Sequence, residues 1–432
     1  MTLRERDHAA IWHPLTQHQM TPPAIPIVRG EGTYLVDEQG NRYLDLISSW
    51  WVNIHGHAHP AIANAIHEQA LKLEQVIFSG FTHEPAIELA EILLALLGKP
   101  FSKVFYSDNG STAVEVALKM SYQYWHNQGQ VQRKRFMSFR EGYHGDTFGA
   151  MSVGQDSVYF KSFSDLLFPV ALFDYPTTWL DDGMVWEKEK KSLTDIAAYL
   201  EQYAAETVAM ILEPLVQGAA GMRMCRPEFL QQLVALLKLH DVLVIYDEIM
   251  TGFGRTGELF AFKKSETAPD IICLSKGLTG GFLPLSVTVC HEKIYDAFLG
   301  NDFSRALAHS HSFTANPLGC AAALASMALL KHPDTQTKIA QIEAVHRVIL
   351  SQRKHEKGRF CGTIAAFELP LTAAYGSQTS VQLRDCFLKR GLLIRPIGSV
   401  IYLLPPYCVT ETELRHAYDT IDDIIEGYMY DI

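Results

Sequence analysis

The spacing of hydrophobic residues changes along this chain. Between residues 103 and 325, short runs of apolar and β-branched residues alternate with longer segments of helical period. These runs are predicted to be strands at 103–106, 135–139, 208–212, 242–246, 271–274 and 286–289. Strands that alternate with helices are typical of βαβ units, so we predict an α/β fold with a mostly parallel sheet between helices.

Both ends of the chain have a different pattern. Residues 27–47 alternate between apolar and polar positions around Asp-Glu-Gln-Gly, which predicts an antiparallel hairpin. Beyond the α/β region, helical segments mix with short apolar runs. We therefore predict an N-terminal segment of a small domain (1–59), a large domain (60–325) and a C-terminal part of the same small α+β domain (326–432).

The composition narrows the class of protein. The chain has 432 residues, 48% of them hydrophobic, and a formal net charge of -11 without a long basic block. This is the composition of a globular protein, and it disfavours nucleic-acid binding. Because apolar runs are short and the first residues mix both charges, we expect neither a membrane span nor a signal peptide.

The spacing of the cysteines and histidines indicates whether the chain has metal or redox chemistry. The 7 cysteines are far apart and form no Cys-X-X-Cys pair, so we expect reduced, packed thiols in a cytoplasmic protein. His55, His57 and His59 alternate along one segment, but no carboxylate or cysteine beside them completes a coordination sphere. We therefore predict no metal site.

Two predicted strands lead into side chains of opposite charge. Asp247 follows the run 242–246, and Lys276 comes shortly after 271–274. Side chains at the carboxyl ends of neighbouring strands in an open α/β sheet face the same ligand. This arrangement suits pyridoxal phosphate, with Lys276 as the Schiff base and Asp247 beside the pyridinium nitrogen. Taken alone, each residue is more often a solvated charge, a helix cap or part of a surface ion pair.

A turn into a helix offers a place for a phosphate. In the segment 107–125, Gly110 and Ser111 lie at the predicted helix N-terminus, where backbone N–H groups and the helix dipole favour an anion. An ordinary N-cap is the alternative. A phosphate here and an aldehyde at Lys276 would be the two ends of one cofactor, so each motif supports the other.

Two further segments supply candidate site residues. Tyr143 and His144 lie between glycines in a turn, where an aromatic ring could project and stack on a pyridine ring. An ordinary surface tyrosine is the alternative. Glu213 and Gln217 follow another predicted strand, where the carboxylate could orient neighbouring groups.

Four motifs together resemble the class III aminotransferases of fold-type I: GSTAVEVALKM, GYHGDT, DEIMTGFGRTG and SKGLTGG. The resemblance covers nearly the whole chain and implies a seven-stranded sheet, pyridoxal phosphate as cofactor and a homodimer with shared active sites. It implies the cofactor roles given above for Lys276, Asp247, Tyr143, Gly110 and Ser111. It also implies that a hydroxyl of the partner subunit reaches the phosphate, and Ser312 occupies that position.

Other segments are similar to the members of this class that aminate 8-amino-7-oxononanoate in biotin biosynthesis: IWHP, SSWWVNIHGHAHP, EPLVQGAAGMRM and LIRPIGSVIYLLPPY. The resemblance implies that Trp50 and Trp51 line a substrate channel, that Arg395 receives the substrate carboxylate and that Arg255 lies near the substrate. His311 lies beside Ser312 and is a further candidate near the substrate, with no assigned role. Core packing is the alternative for the tryptophans, and a structural ion pair for Arg395.

The amino donor is the least determined part of the expected reaction. The resemblance implies S-adenosylmethionine and 8-amino-7-oxononanoate as substrates. Leu15, however, stands where members that use S-adenosylmethionine commonly have an aromatic residue, and some relatives use lysine instead. A class III aminotransferase acting on ornithine, GABA or putrescine, and a cofactor-binding scaffold without activity, are the alternative functions.

Overall fold

A central sheet and three smaller sheets organise the described part of the chain. The computed structural model describes residues 1–157, 159–353, 356–371, 373–374 and 376–430. The strands are β1 (Ile27–Glu31), β2 (Tyr34–Asp37), β3 (Arg42–Asp45), β4 (Phe101–Ser107), β5 (Arg135–Phe139), β6 (Val170–Phe173), β7 (Thr207–Leu212), β8 (Val216–Gln217), β9 (Arg223–Met224), β10 (Leu243–Asp247), β11 (Ile271–Leu274), β12 (Ser286–His291), β13 (Arg359–Cys361), β14 (Ile364–Glu368), β15 (Leu392–Leu393) and β16 (Val400–Leu403).

Helices cover the central sheet and connect its strands. They are α1 (Leu3–Ala10), α2 (Ser48–Trp51, a kinked turn), α3 (Pro60–Ala70), α4 (Glu84–Leu97), α5 (Gly110–Asn127), α6 (Phe148–Ser152), α7 (Val185–Tyr203), α8 (Pro227–Leu239), α9 (Ala261–Lys264), α10 (Glu292–Asp296), α11 (Pro317–Leu330), α12 (Pro333–Leu350), α13 (Gln378–Lys389) and α14 (Glu411–Tyr430). Within the described ranges, no helix is both long and apolar enough to cross a bilayer.

The central sheet has seven strands in the order β4-β12-β11-β10-β7-β5-β6. All neighbours pair in parallel except β12, which is antiparallel to both β11 and β4. The predicted α/β fold with a mostly parallel sheet is therefore confirmed. The six strands expected from the pattern are present in this sheet with small shifts at their ends. The seventh strand of the sheet, β6, was not predicted.

The register of the central strands brings three loops together. Tyr246 pairs with Leu212 of β7, and Asp247 pairs with Cys273 of β11. Strands β7, β10 and β11 are buried along their full length, since their apolar side chains pack against helices on both faces. The residues that follow Leu212 and Cys273 consequently lie beside Asp247, at the carboxyl ends of these three strands.

The two ends of the chain share a sheet. Strands β1, β2 and β3 form the expected antiparallel meander, and β15 from the C-terminal region adds to β3 in parallel. A second sheet, β13-β14-β16, lies entirely in the C-terminal region. The domain limits at 59/60 and 325/326 remain a prediction, although the shared sheet is what a small domain built from both ends would have.

Candidate active site

The carboxyl ends of β7, β10 and β11 border a cavity of about 410 Å³, here named the sheet cavity. It is lined by Trp51, Asn109, Gly110, Ser111, Tyr143, His144, Gly145, Asp146, Thr147, Glu213, Asp247, Ile249, Met250 and Lys276. The structure thus brings together the predicted lysine, the predicted carboxylate, the phosphate turn and the Tyr143 loop, which are far apart in sequence.

Lys276 begins a short 3₁₀ turn directly after β11 and has a left-handed backbone, with φ of 44°. Its Nζ lies 4.6 Å from the centre of the Trp51 ring. Burial lowers the pKa of Lys276 to about 8, and Arg255 acts in the same direction, whereas Asp247 and Glu213 oppose the shift. About a tenth of the amine is therefore neutral, and nucleophilic, at pH 7, far more than for an ordinary lysine with a pKa of about 10.4.

Asp247 is fixed by a histidine that sequence reasoning did not assign to it. The Asp247 side chain is 4% exposed, and its Oδ2 lies 2.8 Å from His144 Nδ1. Its other oxygen, Oδ1, accepts a hydrogen bond from the backbone N–H of Ile249 at 3.1 Å. The position of His144 beside Tyr143 in a glycine-flanked turn was the available signal, but nothing local shows that it reaches β10.

The N-terminus of α5 opens into the sheet cavity. Asn109 caps the helix by accepting a hydrogen bond from the Thr112 N–H, so the N-cap is the asparagine and not the serine or threonine that follows it. Gly110 and Ser111 form the first turn and line the cavity. A side-chain carbon at Gly110 would lie 2.9 Å from Ile249, so only glycine allows this close approach.

The loop after Tyr143 is clamped onto the same helix end. Ser111 Oγ lies 2.7 Å from Thr147 Oγ1 and accepts the Thr147 N–H at 3.0 Å. One turn further along α5, Glu115 accepts hydrogen bonds from the backbone of Gly149 and Ala150. Gly145, with φ of 121°, passes so close to Ser111 that a side chain would overlap it.

Tyr143 lines the sheet cavity and is held on three sides. Its backbone N–H donates to Glu213 Oε2 at 3.1 Å, and its hydroxyl donates to Asp146 Oδ2 at 3.0 Å. Its ring stacks on Phe160 with 5.9 Å between centroids and 21° between planes. Burial raises the pKa of the Tyr143 phenol, with the Asp146 charge adding to the shift, so the ring stays neutral.

A second cavity of about 370 Å³, here named the tryptophan cavity, adjoins the first. It is lined by Pro14, Leu15, Trp50, Trp51, Val52, Tyr143, Asp146, Tyr159, Ala219, Lys276, Arg395, Ile397 and Tyr402. Trp51, Tyr143, Asp146 and Lys276 line both cavities. A molecule whose reacting end lies at Lys276 can therefore extend from one cavity into the other.

The two tryptophans have different environments. Trp51 is 6% exposed, and its Nε1 donates to the Tyr402 hydroxyl at 3.1 Å. Trp50 is 41% exposed, and the Arg395 guanidinium lies 4.5 Å from the centre of its ring. Core packing therefore describes part of the Trp51 environment, whereas Trp50 and Arg395 form an open wall of the tryptophan cavity.

Arg255 and Gln217 lie outside the linings of both cavities. The guanidinium of Arg255 is 1% exposed and donates to the backbone carbonyls of Pro405 and Asn53, at 2.7 and 3.3 Å. Its geometry supports the segments around the cavity, so direct substrate contact remains a prediction. Gln217 is buried and donates to the Arg140 carbonyl at 3.2 Å.

Ser312 and position 311 lie outside the two cavity linings as well. Ser312 is exposed, and its backbone carbonyl accepts a hydrogen bond from Gln75. His311 lies 3.0 Å from His309, between ring nitrogens. Ser312 therefore borders neither of the two cavities of its own chain. Its expected role in a partner's site stays a prediction.

The described part of the chain holds no cluster of metal-binding side chains. Of the alternating histidines, His57 lies 2.9 Å from the buried carboxylate of Asp45, and His55 lies 3.0 Å from Ser326 Oγ. Burial lowers the pKa of His55 to about 3, which keeps it neutral. These histidines take part in hydrogen bonds that connect neighbouring segments.

The sheet cavity fits pyridoxal phosphate in its chemistry. The N–H groups at the start of α5 suit a phosphate, the buried Asp247 suits a protonated ring nitrogen, and the low pKa of Lys276 suits attack on an aldehyde. Gly110 and Ser111 bring this helix end to the wall of the cavity.

Comparisons with known proteins agree with this chemistry. The family model of class-III aminotransferases matches residues 15–425. The adenosylmethionine-8-amino-7-oxononanoate aminotransferase of Synechococcus elongatus is 49% identical over 424 residues, which are 97% of this chain and 99% of that protein. The enzyme of the same name from Geobacter sulfurreducens is 38% identical and covers 98% of this chain and 97% of its own length.

Solved structures have the same fold. The crystal structure of the enzyme of that name from Methanocaldococcus jannaschii has a TM-score of 0.89 and 37% identity, covering 98% of both chains. An amine transaminase from an uncultivated Pseudomonas species, solved in a PLP-bound form, has a TM-score of 0.90 and 30% identity, covering 97% of this chain and 98% of its own.

Proposed function

The chain belongs to the class-III aminotransferases, and from this premise we propose that it transfers an amino group from S-adenosylmethionine to 8-amino-7-oxononanoate. The product is 7,8-diaminononanoate, an intermediate of biotin biosynthesis. Donor and acceptor use the same site in turn, in a ping-pong reaction. The relatives that carry this activity in their names match nearly the full length of the chain, which supports the assignment.

Pyridoxal phosphate is the cofactor of this enzyme. When bound, it supplies an aldehyde that takes up amino groups and a ring that withdraws electrons from the carbon beside them. We assign the phosphate to Gly110 and Ser111 at the start of α5, the ring nitrogen to Asp247 and the aldehyde to Lys276. Each of these residues lines the sheet cavity.

Lys276 has a second task once a substrate amine has displaced it. Its neutral amine can accept the proton that leaves the substrate carbon. It can then deliver that proton to the cofactor carbon bonded to the transferred nitrogen. A pKa of about 8 is suitable for both steps, since the amine can take and release a proton near neutral pH. Asp247 keeps the ring nitrogen protonated, and His144 holds that carboxylate in place.

One observation carries the choice of acceptor. The tryptophan cavity extends from Lys276 past Trp51 and Trp50 to Arg395, and it is mostly apolar with a cation in its wall. A long aliphatic acid with an amino ketone at the far end matches these features, because its chain can pack on the tryptophans while its carboxylate pairs with the guanidinium.

The direct test is an assay with purified enzyme, 8-amino-7-oxononanoate and one donor at a time. The expected result is 7,8-diaminononanoate with S-adenosylmethionine and not with lysine. Product with lysine alone would make lysine the amino donor, in keeping with Leu15 in the wall of the tryptophan cavity. Absence of the diamine with every donor, together with turnover of ornithine, GABA or putrescine, would contradict the proposed acceptor.

We also infer a cytoplasmic homodimer. All seven cysteines are free thiols, five of them buried, as expected in a reducing compartment. Ser312 and the neighbouring Phe313 are exposed on a segment outside the cavity linings, and this surface is available to a second copy of the chain. In such a dimer Ser312 would reach the phosphate in the partner's site.

A further inference from the structure

A buried carboxylate with no role in the proposed reaction borders the sheet cavity. Glu213 follows β7 directly, is 6% exposed and lines the cavity beside Asp247 and Lys276. Placing a carboxyl group there costs free energy unless its oxygens receive hydrogen bonds. The partners of those oxygens therefore indicate what the residue does.

The two oxygens of Glu213 hold two different segments. Oε2 accepts the backbone N–H of Tyr143 at 3.1 Å, and Oε1 accepts the backbone N–H of Gly218 at 2.9 Å. Gly218 packs against Trp51, since a side-chain carbon at Gly218 would lie 3.0 Å from that ring. One carboxylate thus fixes the backbone at Tyr143 and the turn that supports Trp51.

Both aromatic rings line the two cavities at their junction, next to Lys276. We propose that Glu213 is a positioning residue, which sets the places of Tyr143 and Trp51 around the reacting amine by tying their two segments to the end of β7. The inference deepens the proposed function, because these rings border the place where cofactor and substrate meet.

The two hydrogen bonds that Glu213 accepts from Tyr143 and Gly218, here named the clamp, depend on the charge of the carboxylate and therefore on pH. Burial raises the pKa of Glu213 to about 7, and Asp247 acts in the same direction, while His144 and the two N–H groups oppose the shift. Lys276 and the buried Tyr175 are the other titratable groups whose pKa values respond to Glu213. A protonated carboxyl has only one oxygen free of hydrogen, so one of the two segments faces an O–H group, which is a weaker acceptor, as pH falls through about 7.

Glu213→Gln removes one of the two acceptors at nearly constant volume. Glu248→Gln is the matched control, because Glu248 is also buried at the end of a neighbouring strand and accepts two backbone N–H groups, from Ala261 and Phe262. Glu248 lies outside the linings of both cavities. Hydrogen exchange of the cofactor-free proteins, read on peptides 140–147 and 214–221, measures the clamp directly.

We expect exchange in peptide 140–147, 214–221 or both to accelerate at least tenfold in Glu213→Gln, with little change in Glu248→Gln. In the loaded enzyme, kcat should fall at least tenfold with KM within about threefold, and the part of the acid limb of the kcat profile that follows a pKa of about 7 should be absent. Unchanged exchange in both peptides would overturn the proposal. Equal acceleration in the control would do so too, since it would mean general loss of stability.

The wild-type protein provides the same test without a substitution. Between pH 8 and pH 6, protection of at least one of these two peptides, corrected for intrinsic exchange, should fall relative to peptides of the sheet. Constant relative protection would contradict the clamp. Exchange is measured without substrate, so failure to aminate 8-amino-7-oxononanoate would refute the proposed function and leave this result standing.

Discussion

Lys276 owes its reactivity to its whole surroundings. The amine lies over the Trp51 ring in a largely buried place, and the negative charges of Asp247 and Glu213 only partly offset the cost of burying a cation. The sequence predicted Lys276 and Asp247 because each follows an apolar run at the end of a strand. It did not predict the contact between Asp247 and His144, which are 103 positions apart, since no local pattern encodes that pairing.

A titration of the cofactor-free enzyme tests the state of Lys276. With a pKa of about 8, the neutral fraction of the amine falls about tenfold per pH unit below that value and is nearly constant above it. Labelling of Lys276 by limiting acetic anhydride, read by mass spectrometry, should therefore rise with pH and level off above pH 8. A free lysine derivative in the same tube, with a pKa of about 10.4, corrects for the reagent. A labelling rate that keeps rising to pH 10 would contradict the lowered pKa.

Arg395 is expected to act on the acceptor and not on the cofactor. Arg395→Met keeps much of the side-chain volume over Trp50 but removes the cation. A hydrogen bond to a charged group contributes about 1.5–3 kcal/mol, so KM for 8-amino-7-oxononanoate should rise about 10- to 100-fold. The cofactor absorbance should stay as in the wild type. A KM that hardly changes would make Arg395 a structural residue and remove the main argument for a carboxylate-bearing acceptor.

At the scale of elements, burial decides what the sequence reveals. Strands β7, β10 and β11 were predicted to within one residue at each end, because they are covered on both faces and read as unbroken apolar runs. Strand β6 was missed. It is an edge strand, and only Phe173 at its end is buried, so its sequence lacks a strong apolar signal.

The contact between the Tyr143 loop and α5 could not be predicted from the sequence either, although the glycines of the loop indicated a turn. Gly145→Ala tests whether this contact shapes the phosphate site, because the new side chain would overlap Ser111. Gly129→Ala is the matched control, since Gly129 also has a positive φ but has open space around its Cα. A left-handed backbone costs a non-glycine residue about 1–2 kcal/mol, so both variants should unfold at lower denaturant concentration.

Only Gly145→Ala should weaken cofactor binding, by at least tenfold, because only there is the helix end displaced. Fluorescence or absorbance titration of the cofactor-free proteins with pyridoxal phosphate gives the comparison. Equal cofactor affinity in the two variants would mean that the loop does not shape the phosphate site.

At the scale of the whole molecule, the two ends of the chain are joined by the parallel pairing of β15 with β3. The alternation in residues 27–47 predicted the hairpin, and the apolar run 392–396 predicted a strand, but no local pattern encodes the pairing of β15 with β3. This pairing helps to place Trp50 and Arg395 in one wall, since Ser48 follows β3 closely and Arg395 follows β15. The tryptophan cavity is thus a product of the fold, assembled from both ends.

The proposed dimer can be tested through Ser312. If Ser312 serves the partner's site, a mixed dimer of one Lys276→Ala subunit and one Ser312→Ala subunit has one site with both defects and one site with none. If Ser312 serves its own chain, both sites of the mixed dimer are defective. Loss of a hydrogen bond to a charged phosphate is expected to weaken cofactor binding about 10- to 100-fold in the Ser312→Ala homodimer.

Mixed dimers purified through two different tags should therefore bind one pyridoxal phosphate with wild-type affinity and regain about half of the wild-type activity per dimer at limiting cofactor, because one intact site acts alone. Sedimentation of the wild-type protein must first give a mass of two chains. A mixed dimer in which no site has wild-type affinity would place Ser312 in its own site, whereas wild-type cofactor affinity in the Ser312→Ala homodimer would place Ser312 outside any site.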